Sequence, residues 1–323
     1  MTKINNPDSQ NIFDNNLLFD IEPFSKKLFE EKNILNFNNK NPNPNPKPKP
    51  FLKWIGGKRQ LIAQFKELKI FPPKNFNASK NFYFEPFLGG GALYFDLLPK
   101  KAILSDINQE LITTYNVIKN NVEELIKALK EHICEKEYFN SLRDQNPKNL
   151  SDINVASRMI FLNKTCFNGI YRVNKSGKFN VPFGRYSSPL ICDSDNLRAV
   201  SLNLKNTEIK FTDYKKVLES AKRSDFIYFD PPYFPISKSS SFTAYTANNF
   251  LEKEQTELRD LYLELVKRGC YVMLSNSDCL FTNKLFENLE EYNIKIHKVR
   301  ASRALNSKAS GRGKINEILV TNY

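Results

Sequence analysis

Short apolar runs, separated by longer mixed stretches, set the pattern of the chain after residue 50. The runs end in polar or acidic turns and read FYFEPF, AILSD, EIKFTD, DFIYFD and CYVMLSN. Because helix-like stretches separate them, the pattern predicts an α/β fold whose buried strands lie mostly parallel in one sheet. Near the end, IKIHKV and NEILVTN flank a basic loop and predict a terminal hairpin that closes the sheet.

A segment of different texture interrupts this alternation. Residues 116–145 are helix-like, and residues 163–187 are rich in Gly, Asn and Arg. We therefore expect an inserted, mainly helical, substrate-reading domain at residues 116–205. It divides a sheet domain that is formed by residues 51–115 and 206–323.

The first 50 residues differ from the rest in composition. They are rich in Asn, end in NPNPNPKPKP, and carry seven lysines against six acidic residues. Sequence of this kind predicts a disordered extension that ends in a polyproline-like linker. The net charge of the whole chain is +13, so nearly all of the excess lies in residues 51–323. This basic part is expected to attract polyanions, either nucleic acid or an anionic membrane surface.

Neither a membrane span nor metal chemistry is predicted. No run approaches the ~18 apolar residues that a spanning helix needs, and no basic segment precedes an apolar signal-peptide core. We therefore expect a soluble, cytoplasmic protein with no membrane partner. The five cysteines form no C-x-x-C pair and the chain has two histidines, so we expect no metal site and no disulfide framework.

The run FIYFDPPYFPIS, residues 226–237, places an acid and two prolines at the end of a predicted strand. Pro231 and Pro232 donate no backbone N–H and fix φ, so they predict a rigid, acceptor-rich corner after Asp230. A proline-stopped strand with a solvated acid and a surface Tyr233 is the alternative, and a lone D-P-P would favour it.

A glycine turn follows another predicted strand in FEPFLGGGALYFDL. Gly89, Gly90 and Gly91 would let a ligand approach the backbone at a helix start, although a loop without a ligand would use the same residues. Tyr94 stands where the dinucleotide motif G-x-G-x-x-G needs its third glycine. Asp106, at the end of the next strand, can accept hydrogen bonds from two ribose hydroxyls. Together they predict a nucleoside site.

Lys58, in FLKWIGGKRQL, is a candidate for binding an anionic group. The phosphate-loop motif G-x-x-x-x-G-K-[ST] is not present, because Leu52 and Arg59 occupy its first glycine and its Ser or Thr position. Trp54 offers packing, whereas Lys58 can hold an anion such as a cofactor carboxylate. A solvated lysine at a helix start remains the alternative.

These motifs carry a resemblance to a known family. FLKWIGGKRQL, FEPFLGGGALYFDL, LSDIN, LNKTCFNGIYRVNKSGKFNVPFGRY and DPPY occur in the order seen in the Dam family of adenine-N6 DNA methyltransferases, with RGKINEILVTNY at the end. The chain is similar from about Phe51 to Tyr323, especially to the DpnM type from restriction–modification systems. The resemblance implies a Rossmann-like S-adenosylmethionine (SAM) fold, an inserted target-recognition domain, no metal, and methylation of double-stranded DNA at the palindrome GATC. A restriction endonuclease acting on the same site is a candidate partner that the sequence leaves open, and DNA binding would place the protein at the nucleoid.

The resemblance also implies roles for site residues. The exocyclic amine of a flipped adenine would donate to Asp230 and to the Pro231 carbonyl, while Tyr233 stacks on the base. We also expect Asp230 to stay ionised beside the sulfonium of SAM. The residues implied at the cofactor are Trp54, Lys58, Glu85, Gly89, Gly91, Asp106, Tyr214 and Asp230, and Pro232 belongs to the catalytic corner.

For DNA, the resemblance implies a wedge at Phe167, a guanine-reading Arg172 and an apolar contact from Ile170 to the thymine methyl. Lys53 would contact a phosphate or an outer base, and Asn168 and Pro182 belong to the same DNA-binding set. Ordinary core packing is the alternative for Phe167 and Ile170.

Two other functions remain open from the sequence alone. The chain could be a catalytically idle DNA-binding protein on the same scaffold, although its intact DPPY and cofactor motifs argue against this. It could instead methylate another exocyclic amine, such as cytosine N4, or act on RNA. Methylation of cytosine carbon 5 needs a thiolate, and the nearest candidate, Cys166, lies in the unrelated context KTCFNG.

Overall fold

The computed structural model of the chain describes residues 46–174, 176–236, 250–302 and 314–323. The first 45 residues of the predicted extension and most of the basic loop between the last two predicted strands lie outside these ranges.

A seven-stranded sheet forms the centre of the described fold, in the order β3-β2-β1-β4-β5-β7-β6. The first five strands of that order pair parallel, whereas β7 is antiparallel to both β5 and β6. The predicted parallel sheet and its terminal hairpin are therefore confirmed. The strands are β1 (Tyr83–Glu85), β2 (Ala102–Asp106), β3 (Thr207–Phe211), β4 (Phe226–Phe229), β5 (Tyr271–Ser277), β6 (Lys295–Ser302) and β7 (Lys314–Thr321).

The order of the strands fixes where a ligand can bind. From β1 the chain proceeds to β2 and β3 on one side, and then returns to β4 and β5 on the other. In open α/β sheets, ligands bind at the carboxyl ends of the strands where the order reverses. Here that point lies beyond the ends of β1 and β4, next to Glu85 and Asp230.

Helices cover the sheet and build the inserted segment. The α-helices that the structure describes are α1 (Ile62–Glu67), α2 (Ala92–Leu97), α3 (Gln109–Asn120), α4 (Val122–Lys130), α5 (Lys136–Asp144), α6 (Asp152–Thr165), α7 (Ser194–Leu204), α8 (Glu252–Lys267) and α9 (Leu280–Lys284). Single-turn 3₁₀ helices occur at Lys58–Gln60 and Phe167–Gly169, and a longer one occurs at Tyr214–Glu219. The helix-like stretch 116–145 thus resolves into parts of α3, α4 and α5.

The inserted segment shares its core with the sheet. Leu111 of α3, Phe139 of α5 and Met159 of α6 belong to the same buried cluster as Tyr83 of β1 and Phe226 of β4. The predicted boundary between residues 115 and 116 falls inside α3. The insertion is therefore continuous with the sheet in packing, and the division into domains stays a prediction.

The predicted extension ends earlier than residue 50. Pro48 is buried, and the backbone of Lys49 exchanges two hydrogen bonds with the side chain of Asn196 on α7. The Nζ of Lys47 also lies 3.8 Å from a carboxylate oxygen of Asp96. The expectation of a free linker is wrong for residues 46–50, because specific polar contacts hold this proline-rich segment.

Across the ranges that the structure describes, no helix has the length and apolar character needed to span a membrane.

Candidate active site

The predicted catalytic corner begins where β4 ends. All four residues of β4 are buried, and the partly buried carboxylate of Asp230 follows directly. The Nζ of Lys58 lies 2.7 Å from Oδ1 and 2.9 Å from Oδ2 of Asp230, and it also donates to the Gly56 carbonyl. The Lys58 side chain is only 4% exposed. This ion pair therefore joins the glycine-rich segment before α1 to the end of β4.

Two opposing effects set the protonation of Asp230. Burial raises the pKa of its carboxyl to about 6, Lys58 pulls that pKa down, and Glu317 pushes it further up. A buried carboxylate beside one cation retains an affinity for a proton near neutrality. The carboxyl is therefore mostly ionised at neutral pH, and its pKa of about 6 makes it a stronger base than an ordinary aspartate.

Tyr233, the last residue of the DPPY motif, is held through both its hydroxyl and its ring. Its hydroxyl donates to Oε2 of Glu317 at 2.8 Å, and the Nζ of Lys58 lies 4.8 Å from its ring centroid. Glu317 reaches this place because β7 is antiparallel to β5, which puts Glu317 opposite Ser277 at the carboxyl end of β5. The orientation of the aromatic ring is thus fixed by a carboxylate from the terminal hairpin.

Buried amides hold the backbone of the same corner. Gln255 of α8 donates to the Pro232 carbonyl at 3.0 Å, and Asn276 of β5 donates to Oε1 of Gln255 at 2.8 Å. The Asn276 Oδ1 accepts from the Phe234 amide at 3.1 Å, and the Ser277 hydroxyl donates to the Phe234 carbonyl. A network of buried amides in which each group has a hydrogen-bond partner specifies one backbone conformation.

The predicted glycine turn lies at the end of β1. Gly89 has φ +46° and Gly91 has φ +64°, a region that L side chains rarely adopt. A Cβ at Gly89 would lie 2.6 Å from the Nε1 and Cδ1 atoms of Trp54, so the indole packs directly on the backbone of the turn. Only glycine fits at residue 89 in this arrangement.

Asp106, at the end of β2, lies against that turn. Its Oδ2 accepts from the Gly89 amide at 3.1 Å and its Oδ1 accepts from the Asn108 amide at 2.9 Å. Burial raises the pKa of the Asp106 carboxyl to about 6. Each carboxylate oxygen can accept a further hydrogen bond. The two hydroxyls of a ribose would supply the two donors.

Glu85 is the buried acid between the turn and the corner. The hydroxyl of Tyr83 donates to its Oε2 at 2.8 Å. Burial raises the pKa of the Glu85 carboxyl from 4.5 to about 8, partly offset by the Tyr83 hydrogen bond. Glu85 is therefore largely neutral at pH 7.

Tyr214 packs beside the turn rather than in solvent. Its ring stacks on Phe87 at a centroid distance of 5.1 Å, with Phe250 edge-on at 5.9 Å. Its hydroxyl is buried and has no hydrogen-bond partner among the described residues. A buried orphan hydroxyl, a glycine-only turn and an acceptor-rich Asp106 fit a nucleoside cofactor such as SAM.

The predicted wedge lies on the surface of the insertion. Phe167 is 52% exposed, so the alternative of ordinary core packing does not hold for its side chain. Its amide donates to the Pro182 carbonyl at 2.8 Å, and the neighbouring Asn168 is exposed with φ +59°. Ile170 is half-buried and packs against the main core, so core packing accounts for part of its side chain.

Arg172 is exposed at the base of a short hairpin in which Val173 bridges Phe179. Its Nε donates to Oδ1 of Asn180 at 2.8 Å, and Nη2 lies 3.4 Å from the Asn180 carbonyl. Lys53 is also exposed, with Nζ 5.3 Å from the ring centroid of Tyr186. The structure thus leaves both predicted DNA-contacting cations accessible.

The structure gathers the predicted cofactor and catalytic residues at the carboxyl ends of β1, β2 and β4. Sequence reasoning missed the residues that orient them, namely Glu317, Gln255 and Asn276. For Asn276 and Glu317, the available signal was a polar side chain inside an otherwise apolar strand, as in LSNS and NEILV; Gln255 lies on α8 and lacks this signal. In the described ranges, no three His, Cys, Asp or Glu side chains group closely enough to hold a metal ion.

Comparison with known proteins identifies the family. A match to the D12 class of N6 adenine-specific DNA methyltransferases spans residues 54–305. This match decides between the acceptors that the sequence left open, because the family methylates adenine N6 in DNA, with SAM as the methyl donor.

Curated relatives agree over most of their length. The chain is 43% identical over 281 residues to Type II methyltransferase M1.LlaDCHI of Lactococcus lactis subsp. cremoris, covering 84% of this chain and 95% of the relative. It is 46% identical over 291 residues to Type II methyltransferase M.MjaIII of Methanocaldococcus jannaschii, covering 84% and 98%. It is 31% identical over 275 residues to the DNA adenine methylase of Escherichia coli K12, covering 84% and 94%. The chain belongs to the D12 class of N6 adenine-specific DNA methyltransferases.

Proposed function

We propose that this adenine methyltransferase modifies GATC in double-stranded DNA and is the modification enzyme of a restriction–modification system. The observation that carries the proposal is the exposure of Phe167, Asn168 and Arg172 in the segment 167–172, here called the reading segment, which lies within the long motif that resembles the Dam family. Two relatives that match nearly end to end are named Type II methyltransferases, and this supports the second part.

The catalytic corner would act by positioning and electrostatics. The adenine amine is a poor nucleophile because its lone pair is delocalised into the ring. Hydrogen bonds from its two N–H groups to the Asp230 carboxylate and the Pro231 carbonyl would localise that lone pair. When bound, SAM supplies an electrophilic methyl group on a positively charged sulfur.

Asp230 also suits the proton that N6 must lose. Its pKa of about 6 leaves the carboxylate ionised at neutral pH, yet basic enough to accept a proton. Lys58 keeps the group charged, and a carboxylate has room for about four hydrogen bonds, so the lysine and the amine can share it.

Tyr233 would stack on the flipped adenine and offset part of the cost of unstacking it. The hydrogen bond to Glu317 fixes the ring, so less conformational entropy is lost when the base arrives. Pro232 contributes through its carbonyl, which is occupied by Gln255 and keeps the turn in one conformation.

We assign the glycine turn and its neighbours to the cofactor. Asp106 would accept from the ribose hydroxyls, and Gly89 and Gly91 would admit the ligand to the backbone. Tyr214 would lie at the cofactor adenine, where its orphan hydroxyl could find a partner. Trp54, Lys58 and Glu85 would surround the methionine part.

We assign residues 116–205 to target recognition. Phe167 would wedge into the duplex, Arg172 would read a guanine, and Ile170 would contact the thymine methyl through its exposed part. Asn168 and Pro182 would complete the DNA-binding set, and Lys53 would contact a phosphate or an outer base.

Two experiments test the proposal. The protein is expressed in a host that lacks adenine methylation, and long-read sequencing maps N6-methyladenine over the genome. Methylation confined to GATC supports the recognition site, whereas a different motif refutes it. A lysate of the source organism should cut unmethylated DNA but not the same DNA after treatment with this enzyme; equal cleavage of both would refute the restriction–modification role.

A further inference from the structure

We propose that Asn163 is a positioning residue that couples cofactor binding to sequence reading. The inference rests on the proposed roles of residues 167–172 at the DNA and of the segment Lys53–Lys58, which carries the proposed cofactor residues Trp54 and Lys58 next to the proposed DNA contact Lys53. Asn163 has no place in either site, but its side chain bonds to the backbone of both segments.

The geometry of Asn163 is specific. It lies on the last turn of α6 and is 1% exposed. The Lys53 amide donates to its Oδ1 at 2.9 Å, and its Nδ2 donates to the Lys53 carbonyl at 2.8 Å. The same Nδ2 donates to the Gly169 carbonyl at 3.1 Å. One buried amide thus satisfies both backbone groups of Lys53 and one of the reading segment.

The segment that begins at Lys53 leads directly into the candidate cofactor site. Trp54 packs on the glycine turn at Gly89, and Lys58 pairs with Asp230. Trp54 also stacks on Tyr171 of the reading segment, at 5.4 Å with a 17° interplanar angle. A ligand that orders the glycine turn therefore also affects Trp54, which contacts both that turn and Tyr171 of the insertion.

On the other side, Gly169 lies between the proposed wedge at Phe167 and the arginine at Arg172. It has φ +65°, and a Cβ there would lie 2.9 Å from the Cβ of Lys53. The backbone of Gly169 packs directly on the Lys53 side chain, and Asn163 bonds to the carbonyls of both residues, so a shift of one segment must move the other or break the Asn163 hydrogen bonds. A buried amide without its partners is costly, so the joined arrangement is favoured.

This arrangement predicts a coupling free energy between the two ligands. Since SAM and DNA each favour one position of the joined segments, each should raise the affinity for the other by the same factor. Removing Asn163 would take away the hydrogen bonds that hold the two segments together and leave the Trp54–Tyr171 stack in place, so the factor would fall.

The chain offers a matched control in Asn196. This residue is 5% exposed, and its side chain exchanges the same pair of hydrogen bonds with the backbone of Lys49, at 2.9 and 3.0 Å. Both of these bonds go to Lys49, outside the reading segment. Asn196→Ala therefore removes an equivalent buried tether of the N-terminal segment without touching the proposed link.

The experiment measures the dissociation constant of a SAM analogue that has no transferable methyl group, with and without a duplex that the wild-type enzyme methylates, at whatever sequence that is. We expect wild type and Asn196→Ala to show a coupling of about fivefold or more, and Asn163→Ala to show a smaller factor than either. A coupling factor that is unchanged in Asn163→Ala, equally reduced in Asn196→Ala, or absent from the wild type would overturn the inference. Failure of the GATC proposal would instead appear as methylation of a different motif and would leave this test intact.

Two further measurements keep the inference testable if Asn163→Ala does not fold. Asn163→Asp keeps the volume and the acceptor for the Lys53 amide but loses both donated bonds, so it should also lower the coupling factor. Hydrogen exchange on the wild type needs no variant. SAM alone should slow exchange of amides in residues 167–172, and DNA alone should slow those in residues 54–58; protection confined to each ligand's own segment would contradict the proposal.

Discussion

At the residue scale, the chemistry of the site is set by pairs of groups rather than by single side chains. Asp230 could be predicted because it is the first residue of the DPPY motif. Glu317, the partner of Tyr233 at the other end of the motif, comes from a strand 84 positions further along the chain. No local pattern links two such residues, since only the register of β5 and β7 brings them together.

The ion pair between Lys58 and Asp230 predicts a shift in pH dependence. Lys58→Met removes a cation that lowers the pKa of Asp230, so the carboxyl should titrate at higher pH. The acidic limb of kcat/KM for DNA, measured at saturating SAM, should move up by about one pH unit or more. Lys58→Arg keeps the charge and should leave the limb near its wild-type position. An unmoved limb in Lys58→Met would mean that Asp230 is not the titrating group.

The raised pKa of Glu85 predicts a change in stability with pH. The folded carboxyl has a pKa of about 8 against 4.5 ordinarily. The folded protein therefore binds the proton more tightly, and its stability falls as pH rises from about 4.5 to about 8. Glu85→Gln has no carboxyl to ionise and so does not lose this stability. The difference in free energy of unfolding, variant minus wild type, should therefore increase by roughly 1 kcal/mol per pH unit between pH 6 and 8.

Denaturant unfolding at several pH values measures that difference. Glu123→Gln serves as the control because Glu123 is exposed and its pKa is lowered, so its difference from wild type should stay constant over the same range. A Glu85→Gln difference that does not grow with pH would show that the carboxyl is ionised in the folded enzyme.

At the element scale, prediction from sequence succeeds where the pattern is local. Strand β4 was identified because four apolar residues precede a proline stop, and the run CYVMLSN gave β5. The helix-like stretch 116–145 was not divided correctly, because Asn121 is a surface break with φ −136° between two helices of similar pattern. The linker boundary was also misplaced, since the contacts of Lys49 come from a distant helix.

The elements that flank the catalytic corner yield a third prediction. Gln255 of α8 is 2% exposed and joins the Pro232 carbonyl to Asn276 of β5. Gln255→Leu leaves both partners without their bond and should loosen the turn. We expect kcat to fall by about tenfold or more, because small misplacement of reacting groups is costly, while SAM affinity changes little.

Tyr262→Phe on the same helix provides the control. Its hydroxyl donates to the Val272 carbonyl at 3.2 Å, which ties α8 to β5 away from the corner. It should lose stability but keep kcat, as measured by single-turnover methylation beside a melting curve. Equal losses of kcat in the two variants would indicate a general effect of α8 packing.

At the scale of the whole molecule, the basic charge determines how strongly DNA of any sequence is attracted, whereas the reading segment determines which sequence is preferred. Almost all of the net charge of +13 lies in residues 51–323, and such a charge draws DNA in without regard to sequence. Sequence preference must come from side chains that reach base edges. Composition could predict the first property, whereas the second required the motif resemblance, because exposure of Phe167 and Arg172 is not visible in composition.

The distinction leads to a prediction for Arg172. Its guanidinium is oriented by Asn180 through Nε and Nη2, and such a planar group can contact both major-groove acceptors of a guanine. A contact of this kind is worth ~1–3 kcal/mol of discrimination between bases. Arg172→Ala should therefore methylate the cognate duplex more slowly and lose preference at one base, together with its palindromic counterpart.

Arg198→Ala is the control for the loss of one positive charge. Arg198 is exposed on the insertion, but its Nε and Nη2 already bond to Glu123 at 2.7 and 2.8 Å. Both variants are assayed on the cognate duplex and on duplexes with single substitutions, across a range of salt concentrations. A phosphate-binding arginine would weaken all duplexes alike and reduce the salt slope by about one unit. That result for Arg172→Ala, with an unchanged ranking of duplexes, would remove Arg172 from base reading.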